Sequence, residues 1–222
     1  MRALREVTRY RHKLVGQRTS CKDQVHAVLA KSGIPVTRSD IFGPGGGIWL
    51  DGLPLPQPYA GKVASLRALI AVLDGDIARL EEPAAGLLAG DRGYAAIRRL
   101  SGIGPVLGAV IAAEIGDITR FRTPGQLASW AGLTPRHYES DTRVIRGHVS
   151  KQGSRMLRWA VTEAIQRQPA GTRPQQVKDA IIDRRGAGAR SIAKTAAARI
   201  LLTQVFYSMR DGHLRRATSP AA

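Results

Sequence analysis

The sequence predicts a mainly α protein: a coiled-coil helical hairpin followed by a helical domain that contains a helix-hairpin-helix. Three observations carry that expectation. Val63, Leu66, Ile70, Leu73, Ile77 and Leu80 recur at alternating spacings of three and four, the seam of a coiled-coil helix. Leu4, Val7, Leu14, Cys21, Val25 and Val28 keep the same spacing near the N-terminus, with Arg11 and Arg18 set into the seam. The stretch Leu100–Phe121, LSGIGPVLGAVIAAEIGDITRF, reads as a helix end, a Gly-Ile-Gly turn and a second helix.

The elements follow in order. Residues 2–32 form a helix, stopped by Gly33 with Pro35 just beyond it, the usual order at a helix end. Residues 33–58 (IFGPGGGIWLDGLPLPQP at their core) are rich in Gly and Pro and read as a loop. The seam 63–80 makes the second helix. Residues 1–82 thus form one unit, either an antiparallel hairpin, a dimer seam or plain bundle helices. Pro83–Gly90 breaks the pattern, and 83–212 is read as the second domain. It holds a short helix over Asp91–Leu100, the Gly-Ile-Gly hairpin, and a helix over Pro105–Ile115. Pro124 opens another helix through Ala131, with Thr123 as its cap. Residues 132–149 lack clear periodicity, although Val144–Val149 fits a short strand. Further helices are expected over Ser150–Gln166, Val177–Arg185 and Arg190–Arg210, and 213–222 reads as a basic tail.

The formal charge is +17 over 222 residues. A charge of that size argues for a polyanionic partner and is silent about fold. DNA and RNA fit best. No apolar run approaches the ~18–20 residues of a membrane span, and the N-terminus has no signal-peptide core, so the expectation is a cytoplasmic protein without membrane contact. The single Cys21 leaves no disulfide framework and no Cys-rich zinc site. Aromatic residues are only 5% of the chain, which argues against base stacking as the main binding mode.

Two segments carry candidate chemistry. Gly102, Ile103 and Gly104 form the hairpin, where missing Cβ atoms let a backbone or phosphate approach. Pro105 suits the first turn of the next helix, whose unpaired N–H groups favour an anion. A tight turn between core helices is the plain alternative. Residues 134–158, TPRHYESDTRVIRGHVSKQGSRMLR, hold Arg136, Arg143, Arg146, Lys151, Arg155 and Arg158 against Glu139 and Asp141. Lys151, Arg155 and Arg158 are spaced to share one helix face, a phosphate-backbone footprint or simply a solvated one. Ser150 stands just before that helix. It fits an N-cap, or a nucleophile on a scissile phosphate whose developing charge the helix start, Lys151 and Arg155 would stabilise. Ser140 and Ser154 are its rivals, Ser154 being placed inside the helix. Glu114, Asp117, Asp179 and Asp183 read as surface partners of arginines, and no metal-ligand set emerges.

LSGIGP, FRTPGQLASWAGLTPRHYESD and HVSKQGSRMLR, taken with the closing AKTAAARILLTQVFYSMRDGHL, resemble the C-terminal domain of the insertion sequence one-ten transposase family, related to the Piv DNA invertase. YRHKLVGQRTSCKDQVHAVLAKSGI is similar to that family's inter-domain coiled coil. The resemblance implies a DNA recombinase that moves an insertion sequence through a serine, carried here to Ser150. It also implies a structured bridge RNA that pairs with donor and target, assembly as a dimer or tetramer, and magnesium held by four carboxylates of a separate domain. No residue here matches that carboxylate domain. The resemblance therefore implies a truncated or split form that does not cleave DNA alone. A non-catalytic helix-hairpin-helix nucleic-acid-binding module and an RNA-binding oligomerisation scaffold remain the alternatives.

Overall fold

The computed structural model describes residues 1–140 and 143–214, and for residues 137–140 and 143–146 it describes the backbone path alone. The architecture is mainly α. The chain divides into two compact units, Tyr10–Glu82 and the combination of Met1–Arg9 with Pro83–Ala222. The first helix, α1 (Arg2–Lys31), contributes to both.

Within Tyr10–Glu82, α1 is followed by α2 (Pro44–Asp51) and α3 (Tyr59–Arg79). Its core joins Val25, Val28 and Leu29 to Ile41, Leu50, Val63 and Leu66. Arg18 pairs with Asp74 at 2.5 Å and Arg11 with Glu81 at 2.9 Å. Partners therefore run backward from Glu81, just beyond α3, to Asp74 within it as they run forward along α1, which makes an antiparallel hairpin inside one chain. Val63, Leu66, Ile70 and Ile77 of the seam are buried. The expected loop 33–58 is only partly a loop. Pro44 opens α2 in place of breaking the chain, and burial of Leu50 holds the short helix despite its three glycines.

The larger unit contains α4 (Glu81–Gly86) from Pro83 onward, α5 (Arg92–Ile97), α6 (Pro105–Ile115), a 3-10 turn at Ile118–Arg120 and α7 (Pro124–Trp130). Strands β1 (Pro135–Ser140) and β2 (Arg143–Val149) precede α8 (Arg155–Gln166), α9 (Arg173–Arg185) and α10 (Arg190–Asp211). Helix α10 packs on α5, α7, α8 and α9, and α6 packs on α8. Every residue of α6 from Gly108 to Ile115 is buried, so this helix is apolar on every side but for Glu114 because protein surrounds it. Leu4 is buried in the same core, which is why the first two turns of α1 belong here.

Asp91 caps α5 by accepting from the Tyr94 N–H, and Thr123 caps α7 by accepting from Gln126. The strand expected near Val144–Val149 is β2, and it has an antiparallel partner, β1, in register Tyr138↔Ile145 and Ser140↔Arg143 with an irregularity between Pro135 and His137. The segment PRHYES carries no apolar alternation, and its pairing with β2 is what makes it a strand. The expected helix start at Ser150 is displaced: α8 begins at Arg155, with Ser154 as its N-cap. Of the expected tail, residues 215–222 lie outside the described residues.

Candidate nucleic-acid interface

The hairpin between α5 and α6 is a helix-hairpin-helix. Gly102 has φ +81°, and a Cβ there would lie 2.3 Å from the Ala164 carbonyl oxygen of α8. The glycine is therefore demanded by left-handed backbone and by close packing together. Gly104 is extended, with φ −76° and ψ −179°, and caps α6 with open space around it. It does not use positive φ, and no atom crowds the place a Cβ would take. Pro105 donates nothing, so the Val106 and Leu107 N–H groups are those the first turn leaves without an intrahelical partner. Ile103 is corrected: its side chain is only 3% exposed and belongs to the core. It anchors the turn, and its side chain is withdrawn from the surface.

The segment around Ser150 is a strap laid against the loop after α7. The Ser150 N–H donates to the Thr134 carbonyl at 2.9 Å and the Lys151 N–H to the Gly132 carbonyl at 3.2 Å. Lys151 holds φ +54°, a left-handed conformation in a residue other than glycine. Gly153, at φ +82°, could not carry a Cβ, which would sit 1.7 Å from the Trp130 carbonyl oxygen. Two backbones thus touch where SKQG meets WAG. Ser150 itself is half-buried, and its carbonyl accepts from Arg136 Nη2 at 3.5 Å, the outer limit of such a bond.

Several expected contacts change place. Lys151 precedes the helix, so Lys151, Arg155 and Arg158 do not share a helix face. Arg158 is spent on structure: Nη1 donates to the carbonyls of Ala131 at 3.0 Å, Gln152 at 2.9 Å and Gly153 at 3.3 Å. Burial, with the charge of Arg155 added, lowers its pKa from the ordinary value, yet arginine remains a cation there. Arg136, Lys151 and Arg155 are exposed. The side chains of Arg143 and Arg146 lie outside the described residues; their backbones lie on β2.

Ser154 is not inside the helix. Its Oγ accepts from the Leu157 N–H at 3.1 Å and donates to Glu114 Oε2 at 2.7 Å. Glu114, read from sequence as a surface partner, is only 2% exposed. Arg9 grips it bidentately, Nε to Oε1 at 2.8 Å and Nη2 to Oε2 at 3.1 Å. Burial pushes the Glu114 carboxyl up. The hydrogen bonds from Arg9 and Ser154, with the charges of Arg9 and Arg5, outweigh that and hold it below the ordinary carboxylate value. A signal for this was available: Glu114 is the one charged residue in α6, where a charge must be paired.

Among the described residues no three His, Cys, Asp or Glu side chains converge to hold a metal ion. Glu114 is engaged by Arg9 and Ser154, and Asp117 accepts from the N–H and hydroxyl of Thr119. The described residues therefore do not fit a magnesium centre. No described helix is long and apolar enough to cross a membrane.

Residues 94–178 match the model of the transposase IS116/IS110/IS902 family. A probable family 20 transposase of Pseudomonas aeruginosa is 31% identical over 163 residues, covering 70% of this chain and 47% of that protein. An insertion element IS116 protein of Streptomyces clavuligerus, described as uncharacterized, is 37% identical over 92 residues, 41% of this chain and 23% of its own length. The transposase for insertion sequence element IS1111A of Coxiella burnetii is 24% identical over 157 residues, 67% of this chain and 42% of its own. The chain spans less than half the length of these relatives. The matched segment holds the hairpin, the strap and the whole of α8, and with the 31% identity to the Pseudomonas protein over 70% of this chain it places the chain in the IS116/IS110/IS902 transposase family.

Proposed function

We propose that this chain is the serine-bearing part of an insertion-sequence transposase, which binds DNA and attacks a DNA phosphate through Ser150. The family match over residues 94–178 carries this reading. The net charge of +17 supports a polyanionic substrate. Exposed Lys151 beside Ser150, and Arg136 at the Ser150 carbonyl, supply positive charge where phosphoryl charge would develop. In the step proposed, Ser150 Oγ forms an ester to phosphorus while a P–O bond to deoxyribose breaks, and the departing sugar oxygen takes up the proton the serine releases. Magnesium, held by the four carboxylates of a separate domain, and a guide RNA belong to the same proposal. So does assembly of several copies. Because the seam is buried within the chain, copies would meet on the outer face of α3, where Leu69 and Val72 are 50% and 61% exposed.

A second serine has one observation in its favour. The SKQG strap is accounted for by backbone packing on Trp130 and Gly132, whereas Ser140 pairs with Arg143 at the far end of the β-hairpin, away from that packing. The experiment is therefore a three-way comparison. The chain is combined with a full-length relative bearing a serine-to-alanine block, guide RNA and donor duplex, and covalent protein–DNA species are read on denaturing gels. Ser150→Ala should abolish the adduct on this chain, and Ser140→Ala and Ser154→Ala should retain it. An adduct that survives Ser150→Ala and vanishes with Ser140→Ala moves the nucleophile. Absence of any adduct with every combination favours the non-catalytic binding module.

A further inference from the structure

Beyond the hairpin and the strap, the larger unit holds a cleft of about 500 Å³ lined by Arg5, Arg9, Arg120, Trp130 and Arg155 around buried Glu114. That volume lies within the range of ligand sites. Four guanidinium groups face one carboxylate, and that carboxylate is already taken. Arg9 holds both its oxygens, and Ser154 donates to one of them. Arg5 donates Nε and Nη2 to the Ala113 carbonyl at 3.2 and 2.9 Å, a neutral acceptor, and its charge reaches only Glu114, which Arg9 already pairs. Arg120 lies 4.5 Å from the ring centroids of both Phe121 and Trp130. The stack fixes its plane and leaves its N–H edge for a ligand. Its carboxylate neighbour Asp117 is turned onto Thr119 and makes no ion pair with it among the described residues. Arg155 opens α8. There Ser154 satisfies the Leu157 N–H and leaves those of Arg155 and Met156 for an anion.

We infer that this cleft grips a phosphodiester of the DNA backbone. Three arginines that form no ion pair among the described residues approach from α1, the turn after α6 and the start of α8. One planar carboxylate cannot satisfy three forks set at different angles, while the non-bridging oxygens of a phosphate point in several directions. Arg9 and Glu114 act as the frame, and Arg5, Arg120 and Arg155 as the contacts. None of Arg5, Arg120 and Trp130 is in the basic segment 134–158, so the footprint extends beyond it. This inference rests on the DNA-binding reading proposed above and deepens it.

The test uses the whole chain with a fluorescent 30-base-pair duplex, and compares Arg120→Gln, Arg155→Gln and the double variant with wild type over a salt series. Both side chains are exposed, so thermal melting should be unchanged, which separates contact from folding. The double variant should bind about tenfold more weakly, and its slope of log affinity against log salt should flatten by roughly 0.9 per phosphate contact removed. Unchanged affinity and slope in the double variant, with Arg136→Gln weakened, would overturn the cleft and spare the proposed function. Loss confined to a single-stranded RNA of equal length would overturn the assignment to DNA. No DNA binding by wild type would overturn both readings.

Discussion

Replacing Glu114 by Gln should remove the one ionic frame inside the core of the larger unit. The carboxylate is 2% exposed and accepts two bonds from Arg9 and one from Ser154. Breaking a buried pair by deleting one partner costs about 3–5 kcal/mol. Arg9, however, is 52% exposed and rehydrates when released, and the Gln oxygen still accepts one bond. The expected loss is therefore below that range, about 2–3 kcal/mol. For a chain of this size, that is a fall of about 4–12 °C in melting temperature, read by circular dichroism at pH 7. The pH dependence identifies the cause. Because the folded-state pKa of Glu114 is depressed, its ionised form stabilises the fold fully above the unfolded value of about 4.3. That contribution is lost as pH falls through the lower folded value. The gap between wild type and Glu114→Gln should therefore be full at pH 7 and narrow below about pH 4. A fall under 1 °C, or a gap equally wide at pH 3 and pH 7, would refute the ionic account.

Three further substitutions probe the frame of the site. Gly153→Ala places a Cβ 1.7 Å from the Trp130 carbonyl at φ +82°; it should destabilise by about 3 kcal/mol or more and weaken DNA binding, so a normal melt would show that the strap is not packed as described. Ser154→Ala removes the cap of α8 and a donor to Glu114, for a loss of about 1 kcal/mol, and Ser154→Asn should recover most of it in the same melt. Asp74→Asn breaks the half-exposed pair with Arg18 and should shift stability by less than about 1 kcal/mol, the shift shrinking further in high salt.

Local devices were legible in the sequence because each acts within a few residues. The α3 seam, the stop at Gly33, the Thr123 cap and the Gly-Ile-Gly turn need only spacing and backbone chemistry. The family resemblance rested on the same short stretches, and the charge of +17 pointed to a polyanion before any fold was known. Tertiary structure alone decided where long-range partners fall. Glu114 became a buried frame because Arg9 lies 105 residues away in sequence and beside it in space. Ser154 displaced Ser150 as the cap because the backbone of residues 150–153 bonds and packs to residues 130–134 before α8 can start. Ile103 and Arg158 left the list of exposed contacts because a core and three carbonyls claimed them. The arginine cleft joins α1 to residues more than a hundred positions later, and no spacing in the chain announces it. Periodicity records which face of an element is apolar, and only packing determines which charges then share one volume.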